Sequence, residues 1–173
     1  MKTIKKTDWK SLQKFLLNSE HPLDVIILCA LETGARVSEV VGVHKDWIED
    51  GCLRICSLKG SKPRLVPISK ELQLKIKSYT EGDVFLSHSK KVKFENRRRI
   101  LDKRLRWVCC HLFIKPVSMH TLRHTLCSEL YRATKDIFMV KDFIGHRSVQ
   151  STFMYQHYNQ KKEAENIVQG LLA

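Results

Sequence analysis

Apolar residues recur at helical spacing along most of the chain, which predicts a mainly helical protein. A first amphipathic helix is marked by the apolar positions between Trp9 and Leu16, with Thr7 or Asp8 as its N-cap. The later part of the chain repeats the same spacing several times. Further helices are predicted over Lys70–Tyr79, Glu95–His111, His120–Ala133, Lys135–Phe143, Val149–Tyr155 and Lys161–Leu172.

One predicted helix differs from the others because it is apolar on every side. It runs from about Pro22 to Glu32, and Leu23–Leu31 is almost wholly apolar. Such a helix belongs in the centre of a core. Gly34 supplies its C-terminal stop, and Ser38-Glu39 resembles the cap and first turn of a third helix that ends near Val43.

Two strand-like segments follow, Cys52–Leu58 and Arg64–Ile68, on either side of the turn-forming segment Lys59–Lys62. This pattern predicts a β-hairpin. Pro63 and Pro67 place its second strand at a sheet edge, because proline cannot donate to a ladder. The predicted fold class is therefore α+β, mainly helical, with a small antiparallel sheet or hairpin at one edge.

Composition and charge restrict the possible functions more than they restrict the possible folds. The 173 residues suit one domain, and 43% hydrophobic content excludes an intrinsically disordered chain. No apolar run approaches the ~20 residues that span a bilayer, and the N-terminus lacks a secretory apolar stretch, so no membrane partner is expected. The charge is 31 − 18 = +13, which favours a polyanionic partner, most plausibly nucleic acid.

The cysteines favour a reduced, cytoplasmic protein over a disulfide scaffold or a zinc protein. They sit within apolar patterns, as core or near-core thiols, and no Cys-x-x-Cys occurs. No metal site is expected. The six are Cys29, Cys52, Cys56, Cys109, Cys110 and Cys127.

Positive charge is concentrated between Ser89 and Arg106, which holds nine basic and two acidic residues, a net charge of 9 − 2 = +7. An ordinary protein would present such a run as a solvated face. In a chain of charge +13 we favour contact with a phosphate backbone, which gives salt-dependent affinity but little sequence reading. The candidates are Lys90, Lys91, Lys93, Arg97, Arg98, Arg99, Lys103, Arg104 and Arg106.

Four separate segments hold residues suited to reaction at a phosphodiester. Each side chain taken alone has an ordinary structural explanation, as a solvated charge, a cap or a half-buried ring. Their order and surrounding residues make the case. The candidates are Arg36 beside a helix start, Lys59 in the hairpin turn, His120 and Arg123 on one helix face, His146 after Gly145, and Tyr155.

The strings around these residues resemble the catalytic domain of the tyrosine recombinases, which include phage integrases and Xer-type recombinases. Thr33-Gly-Ala-Arg36-Val-Ser-Glu39 matches the family's first arginine motif, and Leu58-Lys59-Gly-Ser-Lys-Pro-Arg resembles its lysine hairpin. Met119-His120-Thr-Leu-Arg123-His124 matches the His-x-x-Arg motif. Ile144-Gly-His146 through Tyr155 matches the closing segment. The resemblance spans about residues 22 to 158 and fills all six functional positions in order.

The resemblance implies DNA strand cleavage and rejoining without a cofactor. Tyr155 attacks the scissile phosphorus and forms a 3′-phosphotyrosyl link, which conserves the bond energy for rejoining. A tyrosine is only ~0.1% ionised at pH 7, so it needs a proton acceptor, for which the family offers His120. Lys59 protonates the departing 5′-oxygen.

The remaining motif residues have electrostatic or supporting roles by the same resemblance. Arg36 and Arg123 offer planar forks of donors to the non-bridging oxygens of the transition state, and His146 adds a hydrogen bond. Glu39 orients neighbouring groups, and His124 braces the site.

The resemblance also implies an organisation and partners. Residues 1–173 correspond to a single catalytic domain, and the family's N-terminal DNA-clamping domain is expected to be absent, so binding to double-stranded DNA should be weak and salt-sensitive. The tail over residues 160–173 either packs on its own core or docks on another protomer of a tetrameric synapse. The expected location is the cytoplasm, on DNA. Two alternatives stay open: a type IB topoisomerase-like relaxing enzyme, and a DNA-binding accessory module without turnover.

Overall fold

The fold is known from a computed structural model that describes residues 3–56, 63–79 and 93–153. Within these residues it is mainly helical with one small antiparallel sheet, which confirms the predicted fold class. The helices are α1 (Lys6–Asn18), α2 (Pro22–Thr33), α3 (Val37–Val40), α4 (Lys70–Lys77), α5 (Phe94–His111), α6 (Met119–Thr134) and α7 (Ile137–Ile144). The strands are β1 (Ile48–Glu49), β2 (Cys52–Ile55) and β3 (Arg64–Pro67), and a 3₁₀ turn covers Lys45–Trp47.

Helix α2 is the centre of the core, as its apolar sequence predicts. Every residue from Leu23 to Leu31 is buried, and α1, α4, α5 and α6 all contact it. Each fully buried leucine or isoleucine here contributes roughly 1.5–3 kcal/mol. Pro22 occupies the first turn, and Gly34 ends the helix with φ 60°, a left-handed conformation that glycine adopts without strain. This ending directs the chain sharply into α3.

The sheet has the order β1-β2-β3 with antiparallel pairs, so it contains one strand more than the predicted hairpin. The turn between β1 and β2 holds Asp50 at φ 46° and Gly51 at φ 78°. Asp-Gly is a preferred pair for this turn geometry, so the signal was present in the sequence. Strand β3 is an edge strand, as predicted, and it ends at Pro67, one residue before the predicted end at Ile68.

Three helix starts differ from the sequence-based expectation. Helix α1 begins one turn earlier, after Lys5 instead of at a Thr7 or Asp8 cap. Helix α3 is capped at Arg36 and not at Ser38, because a carboxylate three residues later accepts the Arg36 N–H. Helix α7 begins after Asp136, whose side chain accepts two backbone N–H groups, and Lys135 instead ends α6 at φ 56°.

Other predicted features agree with the structure or fall outside the residues it describes. The expected helices over residues 70–79, 95–111 and 120–133 are present with ends within two residues. A further helical segment begins at residue 150, of which residues up to 153 are described. The turn at residues 59–62 and the helix predicted over residues 161–172 lie outside the described residues. Cys110 is exposed, contrary to the expected core or near-core position.

The described helices include none that is long and apolar enough to cross a membrane.

Candidate active site

The ends of three helices and the side of a fourth meet around a cavity of about 210 Å³. The C-terminus of α2 leads into the start of α3, and the N-terminus of α6 and the side of α5 close the opposite walls. A basic chain thus forms a polar cavity where several helix ends converge. Its lining residues are Ala35, Arg36, Val37, Ser38, Arg98, Asp102, Ser118, Met119, His120 and Arg123.

Arg36 is held at the start of α3 by Glu39. The Glu39 carboxylate accepts the Arg36 backbone N–H at 2.7 Å, and its other oxygen lies 3.6 Å from Arg36 Nη1. Glu39 is fully buried, whereas 38% of the Arg36 side chain remains exposed. Arg36 Nη1 has no hydrogen-bond partner among the described residues. This guanidinium is therefore oriented by one carboxylate, while the exposed part of the side chain is open to an incoming anion.

Arg123 is anchored to the backbone at the ends of two helices. Its Nη1 donates to Gly34 O at 2.5 Å and its Nη2 donates to Ile144 O at 3.1 Å. Only 3% of the residue is exposed. Carbonyl oxygens left over at helix ends are natural acceptors for a guanidinium. Arg123 thus joins the α2 and α7 termini while its charge borders the cavity.

His146 follows α7 and is buried. Its Nδ1 lies 2.9 Å from Thr152 Oγ1 on the helical segment that begins at residue 150. Burial, followed by the charges of Arg123 and Arg36, lowers the pKa of His146 to about 3. The imidazole is therefore neutral at pH 7, and one of its nitrogens is fixed by the Thr152 hydroxyl.

His120 and His124 lie one turn apart on α6, with their rings in an edge-to-face contact of 4.1 Å between centroids. Partial burial and the nearby charges of Arg123 and Arg98 lower the pKa of His120. Burial, His120 and Arg123 lower the pKa of His124 to about 4. His120 borders the cavity, and at neutral pH its ring is a neutral proton acceptor supported by His124.

The basic helix α5 supplies one wall of the cavity and a second, open groove beside it. This groove has a volume of about 520 Å³ and is lined by Arg98, Arg99, Asp102, Lys103 and Arg106. Arg98 and Asp102 line both spaces, so the groove adjoins the cavity. Five of the candidate backbone-contact residues, namely Lys93, Arg98, Arg99, Lys103 and Arg106, are solvent-exposed.

Two members of the predicted basic surface are placed differently by the structure. Arg97 is buried and donates through Nη1 to Val41 O at 3.1 Å. Arg104 pairs with the buried Asp24 through two bonds of 2.7 and 2.8 Å, and its guanidinium lies over the Trp107 ring. These two cations are bonded within the fold because α5 turns their side chains toward α2 and α3. They do not belong to the exposed groove.

Sequence reasoning missed Arg64, at the start of β3. Its side chain is 8% exposed and reaches both Glu39 and the end of α7. The only sequence signal was an arginine in an otherwise apolar edge strand. Lys59, Tyr155, Lys90 and Lys91 lie outside the described residues.

Within the part of the chain that the structure describes, no group of three or more histidine, cysteine, aspartate or glutamate side chains is arranged to hold a metal ion. The cavity is instead lined by three arginines and the imidazole of His120, which suit an oxyanion.

Comparison with known proteins identifies the class. The model of the phage integrase family matches residues 2–162. The chain therefore belongs to this family, as its motifs suggested.

Individual relatives agree with this assignment. The tyrosine recombinase XerD of Chlamydia pneumoniae is 30% identical over 169 residues, covering 87% of this chain and 52% of that protein. The catalytic domain of bacteriophage HP1 integrase superposes with a TM-score of 0.62 at 26% identity, over 91% of this chain and 88% of that one. The crystal structure of XerA recombinase gives a TM-score of 0.74 at 24% identity, over 98% and 65%. The chain spans about half the length of the curated relatives it matches.

Proposed function

We propose that this chain is the catalytic domain of a site-specific DNA recombinase or integrase that cuts and rejoins DNA strands through a 3′-phosphotyrosyl intermediate on Tyr155. The observation that carries the proposal is the cavity of about 210 Å³ bordered by Arg36, Arg123 and His120. An arginine pair beside a neutral histidine fits a phosphodiester that gains negative charge during reaction.

The two arginines serve the transition state. Arg123 is fixed by two carbonyl oxygens and Arg36 by the Glu39 carboxylate, so neither needs to reorganise when charge develops on the phosphorane. His146 adds a hydrogen bond to the same oxygens. In this proposal the Thr152 hydroxyl, 2.9 Å from Nδ1, donates to it, so the neutral ring carries its proton on Nε2 and donates from there.

Proton transfers complete the reaction. His120, whose lowered pKa keeps it neutral at pH 7, accepts the proton of the Tyr155 hydroxyl as the oxygen attacks phosphorus. The bond to the 5′-oxygen breaks, and Lys59 gives that oxygen a proton. In rejoining, a 5′-hydroxyl attacks the phosphotyrosine and the steps reverse.

The substrate is double-stranded DNA, whose backbone lies along the exposed groove of α5. The groove adjoins the reaction cavity, so a strand bound there brings one phosphate close to the arginines. Residues 1–173 act as one catalytic domain, residues 160–173 form a helical tail, and four protomers assemble on DNA, with the tail as a contact. The protein acts on DNA in the cytoplasm.

The test is a nicked suicide duplex that lets the 5′-product diffuse away. Because the cleavage site is unknown, a pool of duplexes made from the sequences flanking the gene is used. The wild-type chain should give a protein–DNA adduct that survives detergent and is removed by protease. Tyr155→Phe should give none, and Tyr158→Phe, a matched change three residues away, should behave as wild type.

The outcomes separate the alternatives. Absence of an adduct across the pool would support a DNA-binding module without turnover. Relaxation of supercoiled plasmid lacking any selected site would support a topoisomerase-like enzyme. An adduct formed by Tyr155→Phe would overturn the choice of nucleophile.

A further inference from the structure

Arg64 is a buried cation that joins two turns of the candidate active site. Its Nη2 lies 3.3 Å from Glu39 Oε2, the oxygen that accepts the Arg36 backbone N–H. Its Nε donates at 2.9 Å to Phe143 O in the last turn of α7. One guanidinium thus links the start of α3 to the end of α7, which are about 100 residues apart in the sequence.

The contact with α7 is close because residue 145 is glycine. A Cβ placed on Gly145 would lie 2.5 Å from Arg64 Nη1 and 3.0 Å from its Cζ. Gly145 also has φ 70°, a left-handed conformation. The guanidinium therefore packs directly against the backbone that turns the chain into His146.

The surroundings of His146 are unusually rich in positive charge. Burial is the largest influence that lowers its pKa, and a single carboxylate raises it. The charged groups that face it are Arg123, Arg36, Arg64 and Glu39. Burial also lowers the pKa of Arg64, with Glu39 opposing this effect. Burying a cation has a desolvation cost, which the lowered pKa reflects. The attraction of one carboxylate that several cations share does not fully offset this cost. Such an arrangement points to a positional role beyond stability.

We propose that Arg64 is a positioning residue that fixes the turn carrying His146 against the turn carrying Arg36, so that both side chains address the same phosphate. The inference rests on the proposed function of this site. In this proposal Arg64 acts through Glu39 and the backbone at Gly145, and not by binding the scissile phosphate itself. Its effect therefore falls on the rate of the chemical step and not on DNA affinity.

The principal test replaces the planar guanidinium of Arg64 with an ammonium group and keeps the positive charge. In Arg64→Lys the ammonium cannot bridge Glu39 and Phe143 O at once. The rate constant for adduct formation at saturating DNA should fall about 10-fold or more, since small misplacements of reacting groups are costly. The DNA dissociation constant and its salt dependence should stay within about twofold of wild type. Arg54→Lys, on the exposed ion pair with Glu49 of the same sheet, is the matched control and should change neither.

A pair of glycine variants tests the same contact without altering Arg64. Gly145→Ala places a methyl group on the guanidinium, whereas Gly51→Ala meets only Gln73 Nε2 at 3.6 Å. Both positions have positive φ, so both variants carry similar backbone strain. Both should therefore lose thermal stability, but only Gly145→Ala should lose about 10-fold in cleavage rate.

A spectroscopic measurement tests positioning without catalysis. Ring ¹⁵N chemical shifts of His146 at pH 7 should report a single neutral tautomer in wild type and a mixture in Arg64→Lys. These measurements distinguish the proposed function from the proposed role of Arg64. Failure of wild type to form an adduct refutes the proposed function, while the tautomer change still tests Arg64. Wild-type rates and an unchanged tautomer in Arg64→Lys, with only a lower melting temperature, would show that Arg64 is merely structural.

Discussion

The reaction cavity and the outer face of α5 both carry arginines, but they hold them in opposite ways. Arg123 is 3% exposed and bonded to two carbonyl oxygens, whereas Arg98 in the neighbouring groove has a side chain that is 70% exposed and a long 3.8 Å contact with Asp102. A fixed cation can stabilise charge that appears at one point in space. A solvated cation can only attract a polyanion within about a Debye length. Whether hydrogen bonds hold a charged side chain in place therefore indicates its function better than its charge does.

Helix α5 shows the same contrast within one element. Arg97 and Arg104 face the fold and bond to Val41 O and to Asp24, while Arg99 and Lys103 face solvent. The sequence places all four in one basic run. Sorting them into two groups needs the helix orientation, which the packing of Leu101 and Leu105 on the core determines.

The largest expected effect comes from loosening the anchored arginine. Arg123→Lys keeps the charge but loses the planar fork that reaches Gly34 O and Ile144 O. The rate of adduct formation at saturating DNA should fall about 100-fold or more. Arg132→Lys, in the exposed ion pair with Glu129 on the same helix, should retain the wild-type rate. Equal rates for the two variants would contradict the contrast between anchored and solvated charges.

A second substitution tests the assignment of Arg104 to the fold. Arg104→Met leaves the carboxylate of Asp24, which has no exposed surface, without its guanidinium partner and with the Ser19 hydroxyl as a donor at 2.6 Å. Breaking such a pair should lower the free energy of unfolding by ~3 kcal/mol, measured by denaturant titration. The salt dependence of DNA binding should not change. If the variant were fully stable and its DNA affinity depended less on salt, Arg104 would instead belong to the DNA-binding surface.

Lowering the pH should destabilise the fold around the cavity before it affects the outer face of α5. The folded-state pKa of His146 is about 3 and that of His124 is about 4, both below the ordinary value of 6.5. The unfolded chain therefore binds more protons than the folded chain from pH 6.5 down to about 3, so stability is full above pH 6.5 and falls as the pH decreases through this range. The free energy of unfolding should drop by about 2 kcal/mol or more between pH 7 and 4.5. His146→Asn should flatten this dependence, and an unchanged slope would refute it.

The smallest effect is expected at the solvated face. Arg99→Gln removes one exposed charge from the groove and should weaken DNA binding about two- to threefold at moderate salt. The slope of log affinity against log salt should become shallower by about 0.9. Thermal stability and the cleavage rate at saturating DNA should stay as in wild type. A loss of folding stability instead of salt dependence would place Arg99 with Arg97 and Arg104.

Sequence reasoning predicted the central helix and the edge strand, because each depends on a local pattern. The Leu23–Leu31 run and Gly34 define α2 without any distant contact. The missed strand β1 is only two residues long, too short for a periodicity, although its Asp-Gly turn was readable.

Long-range partners were beyond the sequence for a physical reason. The contacts of Arg64 with Phe143 O and of Arg104 with Asp24 join positions about 80 residues apart. No local propensity encodes such pairs. They arise only when the core brings helix ends together, and so the role of Arg64 emerged from the structure alone.

The double anchorage of Arg123 also bears on how sequence variation in this family is interpreted. A side chain that ties the ends of α2 and α7 together is kept by selection for folding even where selection for cleavage has ceased. Retention of Arg123 in a relative is therefore only weak evidence that the relative is an active enzyme. Loss of His120, which is exposed and makes no such link between helix ends, would be stronger evidence of an inactive relative.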